Sequence, residues 1–216
     1  MNEFPPPRQR GLVIHFALTG LLSLVSSFAL WLVFQTEVGL LFVVYILIFA
    51  ATAVPVPILA YRAYALTRAN YLLDRNILRL VWGLRIEDIP VTDVEWIRPL
   101  AGLMAPVSLP WFRLPGGILG VTKQPDIGKV EFLASNAKTI VLVATVRQIF
   151  AISPEDPVAF SAAFQKTIEM GSLQPARGLS QYPSFVVARA WENPLVRYLW
   201  LAGACLNIGL MVWVTM

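Results

Sequence analysis

Two long uncharged runs constrain this chain more than any other feature. Residues 11–34 and residues 38–60 contain no side chain that is formally charged at neutral pH. Each run exceeds the ~20 residues that a helix needs to cross the hydrocarbon core of a bilayer. Because lipid offers the backbone no hydrogen-bond partners, a helix is the conformation that satisfies the amides within such a run. Residues 35–37 form only a short link, so the sequence predicts a transmembrane helical hairpin at residues 11–60.

The overall composition supports a membrane protein. Of the 216 residues, 57% are apolar and 14% are charged, against about 45–50% and about 25% in soluble domains. A cleaved signal peptide is the alternative for the first run, but its apolar core would be about 7–15 residues long. We therefore predict that the first run is a retained span.

A third uncharged run, residues 198–216, reaches the last residue of the sequence. It is just long enough to cross a bilayer, so we predict a third transmembrane helix at residues 194–216. Small residues let helices approach closely, and an intramembrane amide bonds to a neighbouring helix. Gly203, Asn207 and Gly209 are therefore candidate helix-packing residues. The sequence leaves open a further span after Met216.

The basic residues that flank the spans predict the orientation. Arg8 and Arg10 precede the first span, Arg62, Arg68 and Arg75 follow the second, and the link at residues 35–37 has neither Lys nor Arg. Basic flanks stay on the cytoplasmic side. We expect a multi-pass protein of the inner (cytoplasmic) membrane, with a cytoplasmic N-terminus at residues 1–10 and a cytoplasmic middle domain. The three arginines after the second span are candidate contacts for anionic lipid headgroups.

The period of the sequence becomes strand-like after the second span. Thr92, Val94 and Trp96 alternate with Asp93 and Glu95, which is typical of a strand with one wet and one buried face. Several such short segments with turns between them predict an antiparallel meander.

A helix is predicted to follow these strands. Ser153 is expected to cap it, Pro154 to take the first helical position, and Gly171 to end it. An apolar stripe runs between these ends and should cover one end of a barrel or one sheet face. Residues 61–171 form the predicted β domain and residues 172–193 an irregular linker. The stripe consists of Phe160, Ala163, Phe164, Thr167 and Ile168.

Several local motifs accompany this order of elements. They are Tyr64-Ala65-Leu66-Thr67, Leu72-Leu73-Asp74-Arg75, Ile89-Pro90-Val91-Thr92-Asp93-Val94, Gly128-Lys129-Val130-Glu131-Phe132-Leu133-Ala134-Ser135 and Ile152-Ser153-Pro154-Glu155-Asp156-Pro157. Together with the order of elements, they resemble the bacterial pleckstrin-homology (PH) domain family, in its membrane-anchored branch. The resemblance covers about residues 61–171. It implies a PH-like antiparallel β-barrel with a C-terminal capping helix, and a non-enzymatic interaction role.

A long loop at residues 98–121 is rich in proline, glycine and apolar side chains. One interpretation is an insertion that packs on the barrel. The other is a surface for the bilayer or a protein partner, because aromatic residues beside a cation suit the membrane interface. The residues of this candidate surface are Leu103, Met104, Trp111, Phe112 and Arg113.

The sequence offers little catalytic chemistry. The single histidine, His15, and the single cysteine, Cys205, both lie in apolar runs, so the β domain has neither a nucleophile–base dyad of these types nor a zinc-ligand set. Asp93 and Glu95 could act as an acid–base pair, although a solvated face explains them more simply. We expect no catalytic site, no metal and no cofactor.

The predicted function is a non-enzymatic, membrane-anchored PH-like module on the cytoplasmic face of a bacterial membrane. Its predicted partners are membrane lipid, another membrane protein, or a second copy in a homo-oligomer. A net charge of +4 is too diffuse to indicate nucleic acid. An accessory subunit of a larger membrane complex is the alternative, and an enzyme that acts on lipid is a further one.

Overall fold

The structure is a computed structural model that describes residues 2–102, 107–110, 113, 114, 116–124, 127–171, 176, 178–181 and 198. Contacts group the described parts of Met1–Ala17 and Ala60–Tyr182 into one compact unit. The described residues of Leu18–Leu59 belong to a second unit. The N-terminal segment is therefore part of the same unit as the β domain.

The described residues contain four α-helices. Helix α1 and the stretch Leu40–Arg68 are each long and apolar enough to cross a membrane, judged by length and composition alone. The second predicted span stopped at residue 60, but the helix continues to Arg68. The stretch is interrupted at Val54, just before Pro55, which has no amide hydrogen to donate. The helices are α1 (Gln9–Gln35), α2 (Leu40–Ala53), α3 (Pro55–Arg68) and α4 (Pro157–Met170).

Ten strands form two five-stranded sheets. Sheet A has the order β1-β2-β3-β4-β10, and sheet B has the order β5-β8-β9-β7-β6. Strand β10 lies inside the segment predicted as an irregular linker. The strands are β1 (Asn2–Phe4), β2 (Asn70–Leu73), β3 (Ile77–Trp82), β4 (Arg85–Pro90), β5 (Val94–Pro99), β6 (Ile118–Gln124), β7 (Gly128–Ala134), β8 (Val141–Thr145), β9 (Ile149–Ile152) and β10 (Leu179–Gln181).

The prediction of a closed antiparallel barrel is wrong for the residues that the structure describes. Strands β1 and β10 pair with the outer edges of β2 and β4, and no strand of sheet A pairs with a described strand of sheet B. Sheet B is also not wholly antiparallel. Strand β9 pairs with β8 as a hairpin and lies between β8 and β7, so β7 and β9 run parallel, with Val130 opposite Ile149.

The main core lies between the two sheets and α4. It contains inward-facing residues of both sheets together with Phe160 and Phe164 of α4. Tyr71 joins the sheets: its hydroxyl donates to the Leu133 carbonyl at 2.6 Å and accepts from the Ser153 amide at 3.2 Å. Burial raises the pKa of Tyr71, because a phenolate would lose its hydration there. The phenol therefore stays neutral and can act as a donor.

A second core covers the other face of sheet B. Buried residues of β6 to β9 form it, and Val107 and Leu109 of the long loop pack against it. Pro110 is buried as well. The described part of the loop thus agrees with an insertion packed on the β domain. Leu103, Met104, Trp111 and Phe112 lie outside the described residues, and Arg113 is exposed.

The start of α4 differs from the predicted one. Asp156, and not Ser153, caps the helix: its Oδ1 accepts from the amides of Val158 and Ala159 at 3.0 and 2.9 Å, and Pro157 takes the first helical position. Ser153 is fully buried, and its hydroxyl accepts from the Ser135 amide at 2.7 Å. The predicted helix end is confirmed at Gly171, which has φ +66°.

Candidate functional site

The three arginines predicted to contact lipid headgroups each bond to a protein oxygen. Arg62 donates to the Gly117 carbonyl at 2.8 Å, and Arg68 donates to the Tyr64 hydroxyl at 2.8 Å. Arg75 donates to the carbonyls of Met170 and Gly171 at 2.8 and 3.0 Å. The structure does not bring the three guanidinium groups to a common partner.

Their surroundings assign different local roles to these arginines. Arg75 satisfies carbonyls at the C-terminus of α4, where cations are favoured by the helix dipole. Arg62 is half-buried and holds the loop at Gly117. Arg68 is exposed at the end of α3, with its guanidinium 5.8 Å from the centre of the Tyr64 ring. Arg68 is the most accessible of the three.

The two acids of the conceivable acid–base pair lie on different elements. Asp93 belongs to a short 3-10 turn, Val91–Asp93, which comes before β5, and Glu95 lies on β5 itself. Both side chains are exposed. Asp93 is therefore not part of the single strand that the sequence pattern predicted for both acids. Among the described residues, no group of three or more His, Cys, Asp or Glu side chains could hold a metal ion.

The sequence analysis missed two pairs of charged groups, one that joins the two sheets and one within sheet A. Arg85 of β4 donates to both carboxylate oxygens of Glu131 on β7, with 2.9 Å to Oε2. Gln148 donates to the same oxygen at 2.9 Å. Arg79 and Asp88 form a bidentate pair at 2.6 and 2.9 Å on sheet A, and this hydrogen bonding raises the pKa of Arg79. Because these charges are paired within the protein, we assign them a structural role.

A groove that the sequence did not predict lies at the N-terminal segment. Its volume is about 760 Å³, and it is lined by residues 5–11, by residues of the loop at 113–118, by the turn at residues 135–137 and by Glu155. Three arginines line it: Arg8, Arg10 and Arg113. The sequence had used Arg8 and Arg10 only to predict orientation, because nothing in the pattern places residue 10 beside residue 113. The predicted packing residues Gly203, Asn207 and Gly209 lie outside the described residues.

Strands β2–β9 of the two packed sheets and the one covering helix lie in the segment that carries the PH motifs. A family model described as bacterial PH domain matches residues 69–168. This match covers most of the segment in which the local motifs had predicted a PH-like domain. No curated protein and no solved structure gave a match.

Proposed function

We propose that this chain is a membrane-anchored PH module that binds a protein partner, a second copy of itself or lipid at the cytoplasmic face of a bacterial membrane. PH domains are generally non-enzymatic modules that bind lipids or proteins, and residues 69–168 provide such a domain. The anchoring and the orientation are the parts of the proposal that go beyond the family.

The observation that carries the anchoring is the exposure of large apolar side chains on the long helices. Leu24, Phe34 and Leu40 are 72%, 79% and 81% exposed. A core helix of a water-soluble protein would bury such residues, and contiguous exposed apolar surface of this extent is unusual on soluble monomers. Lipid contact removes these side chains from water, which supports transmembrane helices.

Basic residues support a cytoplasmic domain. Arg8 and Arg10 lie at the start of α1, and Arg62 and Arg68 lie near the end of α3. The link between α1 and α2 has no basic residue. The positive-inside rule then assigns residues 2–8 and the PH domain to the cytoplasm. In this orientation, Arg68 remains a proposed headgroup contact, and Arg62 and Arg75 could contribute only beside their protein bonds.

Cysteine accessibility in intact bacterial cells tests the proposal. In a Cys205→Ser background, Glu37→Cys places a thiol in the helix link, and Lys166→Cys places one on the exposed side of α4. A membrane-impermeant maleimide should label the first variant in intact cells and the second only after lysis. Resistance of the chain to carbonate extraction checks the anchoring itself. Release by carbonate, or labelling of Lys166→Cys in intact cells, would contradict it.

Purification of the tagged chain from its own membranes in mild detergent tests what it binds. A monomer or homo-oligomer fits the proposed module. A large particle of fixed composition would instead make the chain a subunit of a membrane complex and would identify its protein partners.

A further inference from the structure

The groove at the N-terminal segment carries an uncompensated positive charge. Three arginines line it, and Glu155 is the acidic residue on its wall. Arg10 and Arg113 are exposed and make no hydrogen bond or ion pair within the described ranges. Arg8 makes one bond, from its guanidinium to the Thr67 carbonyl at 2.8 Å. In contrast, Arg79 and Arg85 of sheet A each form an ion pair with a carboxylate, Asp88 and Glu131 respectively.

The groove is built by close backbone contacts between the segments that carry its arginines. The backbones of Gly11 and Gly116 meet, and a Cβ on Gly11 would lie 2.6 Å from the Gly116 Cα. Gly116 also has φ +83°, which favours glycine. On the other side, the Glu155 amide donates to the Pro5 carbonyl at 2.9 Å. These contacts fix the segment with Arg8 and Arg10 against the loop with Arg113.

The chemistry of the groove fits a phosphate group. Guanidinium groups match phosphate oxygens with paired hydrogen bonds, and a cavity of about 760 Å³ lies within the ~300–1,000 Å³ range of ligand sites. Arg10 is the second residue of α1. If α1 spans the membrane, Arg10 lies at the level of the lipid headgroups, where basic residues attract anionic lipid.

We propose that this groove binds the phosphate group of an anionic phospholipid, with Arg10 and Arg113 as its contacts and Arg8 as a supporting charge. This inference rests on the proposed function, because it requires α1 to enter the bilayer at the groove. It differs from the sequence-based candidates Arg62, Arg68 and Arg75, which already bond to protein oxygens. Lipid anchored here would hold the PH domain close to the membrane surface.

Native mass spectrometry of the full chain in a neutral detergent tests the site. Dioleoyl phosphatidylglycerol is the anionic lipid, dioleoyl phosphatidylcholine is the zwitterionic control, and glycerol 3-phosphate is the soluble phosphate. We expect the chain to retain phosphatidylglycerol at lipid concentrations at which phosphatidylcholine is lost. Equal retention of the two lipids would overturn the proposal. Tighter binding of glycerol 3-phosphate than of phosphatidylglycerol would overturn the assignment to lipid.

Matched variants locate the binding. Arg10→Gln with Arg113→Gln should weaken binding of phosphatidylglycerol about 30-fold, which corresponds to about 1 kcal/mol for each basic residue at the membrane surface. Lys129→Gln with Arg147→Gln removes the same charge from exposed positions outside the groove and should change binding less than about threefold. Arg10→Lys with Arg113→Lys keeps the charge and should retain most of the binding. Equal losses in the two Gln pairs would overturn the site.

The result can be separated from a failure of anchoring. Both helices are intact in the groove variants, so they should still resist carbonate extraction. If the wild-type chain itself is extracted by carbonate, the proposed function fails, whatever the lipid measurement shows. If the chain resists extraction but the groove variants bind phosphatidylglycerol as the wild type does, only the headgroup site fails. Arg113→Gln alone changes an exposed, unbonded side chain and provides a variant that does not disturb α1.

Discussion

Sheet A and sheet B each have five strands, but β3 of sheet A buries one face, whereas the central strands β7, β8 and β9 of sheet B bury both. In β3 of sheet A, buried and half-buried residues alternate from Ile77 to Trp82. In β9 of sheet B, all four residues are buried. The outer face of sheet B forms the second core, which the long loop helps to cover. A short, continuous apolar run such as β9 therefore indicates a strand that is covered on both faces, whereas the runs of the long helices are several times longer.

The two sheets also differ in where their strands come from. All strands of sheet B lie inside the segment that matches the PH family, residues 69–168. Sheet A takes both of its edge strands, β1 and β10, from outside that segment. An unpaired edge invites association with other chains. In this protein, β1 and β10 from the flanking segments cover the outer edges of β2 and β4.

The largest expected effect comes from breaking the charge pair that joins the sheets. Glu131→Ala removes the buried partner of Arg85 and should lower the free energy of unfolding by about 3 kcal/mol, because the buried cation then keeps only its longer ion pair with Glu87, at 3.3 Å. Pulse proteolysis of the full chain in detergent, across a urea series, measures it. Glu95→Ala, at an exposed position of β5, is the control and should stay within about 0.5 kcal/mol. Equal effects would contradict a bridge between the sheets.

The same substitution on the outer face of each sheet tests the difference in burial directly. Val130 in sheet B is fully buried in the second core, and Val81 in sheet A is half-buried. Val130→Ala should cost about 2 kcal/mol because it leaves a cavity, and Val81→Ala should cost less than about 1 kcal/mol. The shifts in urea midpoint of the two variants, relative to the wild type, give the ratio of the two losses in stability. A larger cost at Val81 would show that the outer face of sheet A is covered as well.

The edge of sheet A should depend on its N-terminal strand. Phe4 packs edge-on against Phe160, with 5.2 Å between ring centres. Phe4→Ala should cost about 1–2 kcal/mol and should speed hydrogen exchange in residues 71–73, which pair with β1. Val121→Ala, on the exposed edge strand of sheet B, should leave that exchange unchanged. Unchanged exchange after Phe4→Ala would mean that β1 does not protect β2.

The smallest expected effect concerns α4, which packs against the face that the sheets share. Asp156→Ala removes the side chain that caps the helix and should cost about 1 kcal/mol. Glu155→Ala changes the neighbouring exposed carboxylate, which makes no cap, and should be near neutral. The difference in urea midpoint between the two variants reports the cap. If both are neutral, the helix does not depend on Asp156.

Local patterns predicted much of the fold. The uncharged runs predicted the long helices, and the alternation in residues 92–96 predicted strand character near β5. Gly171 ended α4 where expected, because a positive φ is favourable for glycine. The resemblance to the bacterial PH domain family, predicted from local motifs, is confirmed by the family model that matches residues 69–168. Each of these signals depends only on residues that are close in sequence.

Long-range pairing could not be predicted in the same way. Nothing local indicates that residues 2–4 pair with residues 71–73, or that β9 inserts between β8 and β7. Ser153 and Asp156 are both good caps by composition, and only burial against Ser135 decides between them. The groove was missed for the same reason, since Arg10 and Arg113 line one groove through the close approach of Gly11 and Gly116.

The pairing of β1 with β2 has a mechanical consequence. Glu3 and Asn70 are 67 residues apart in the chain and hydrogen-bonded across this pair, and Phe4 lies opposite Tyr71. Residues 5–8 connect the end of β1 at Phe4 to the start of α1. Helix α3 ends at Arg68, just before β2 begins. Both helices are thus tethered at the same end of the ladder. Tension that pulls the two tethers apart would unzip the ladder from Phe4 and Tyr71, one residue pair at a time, and would not shear all three pairs at once.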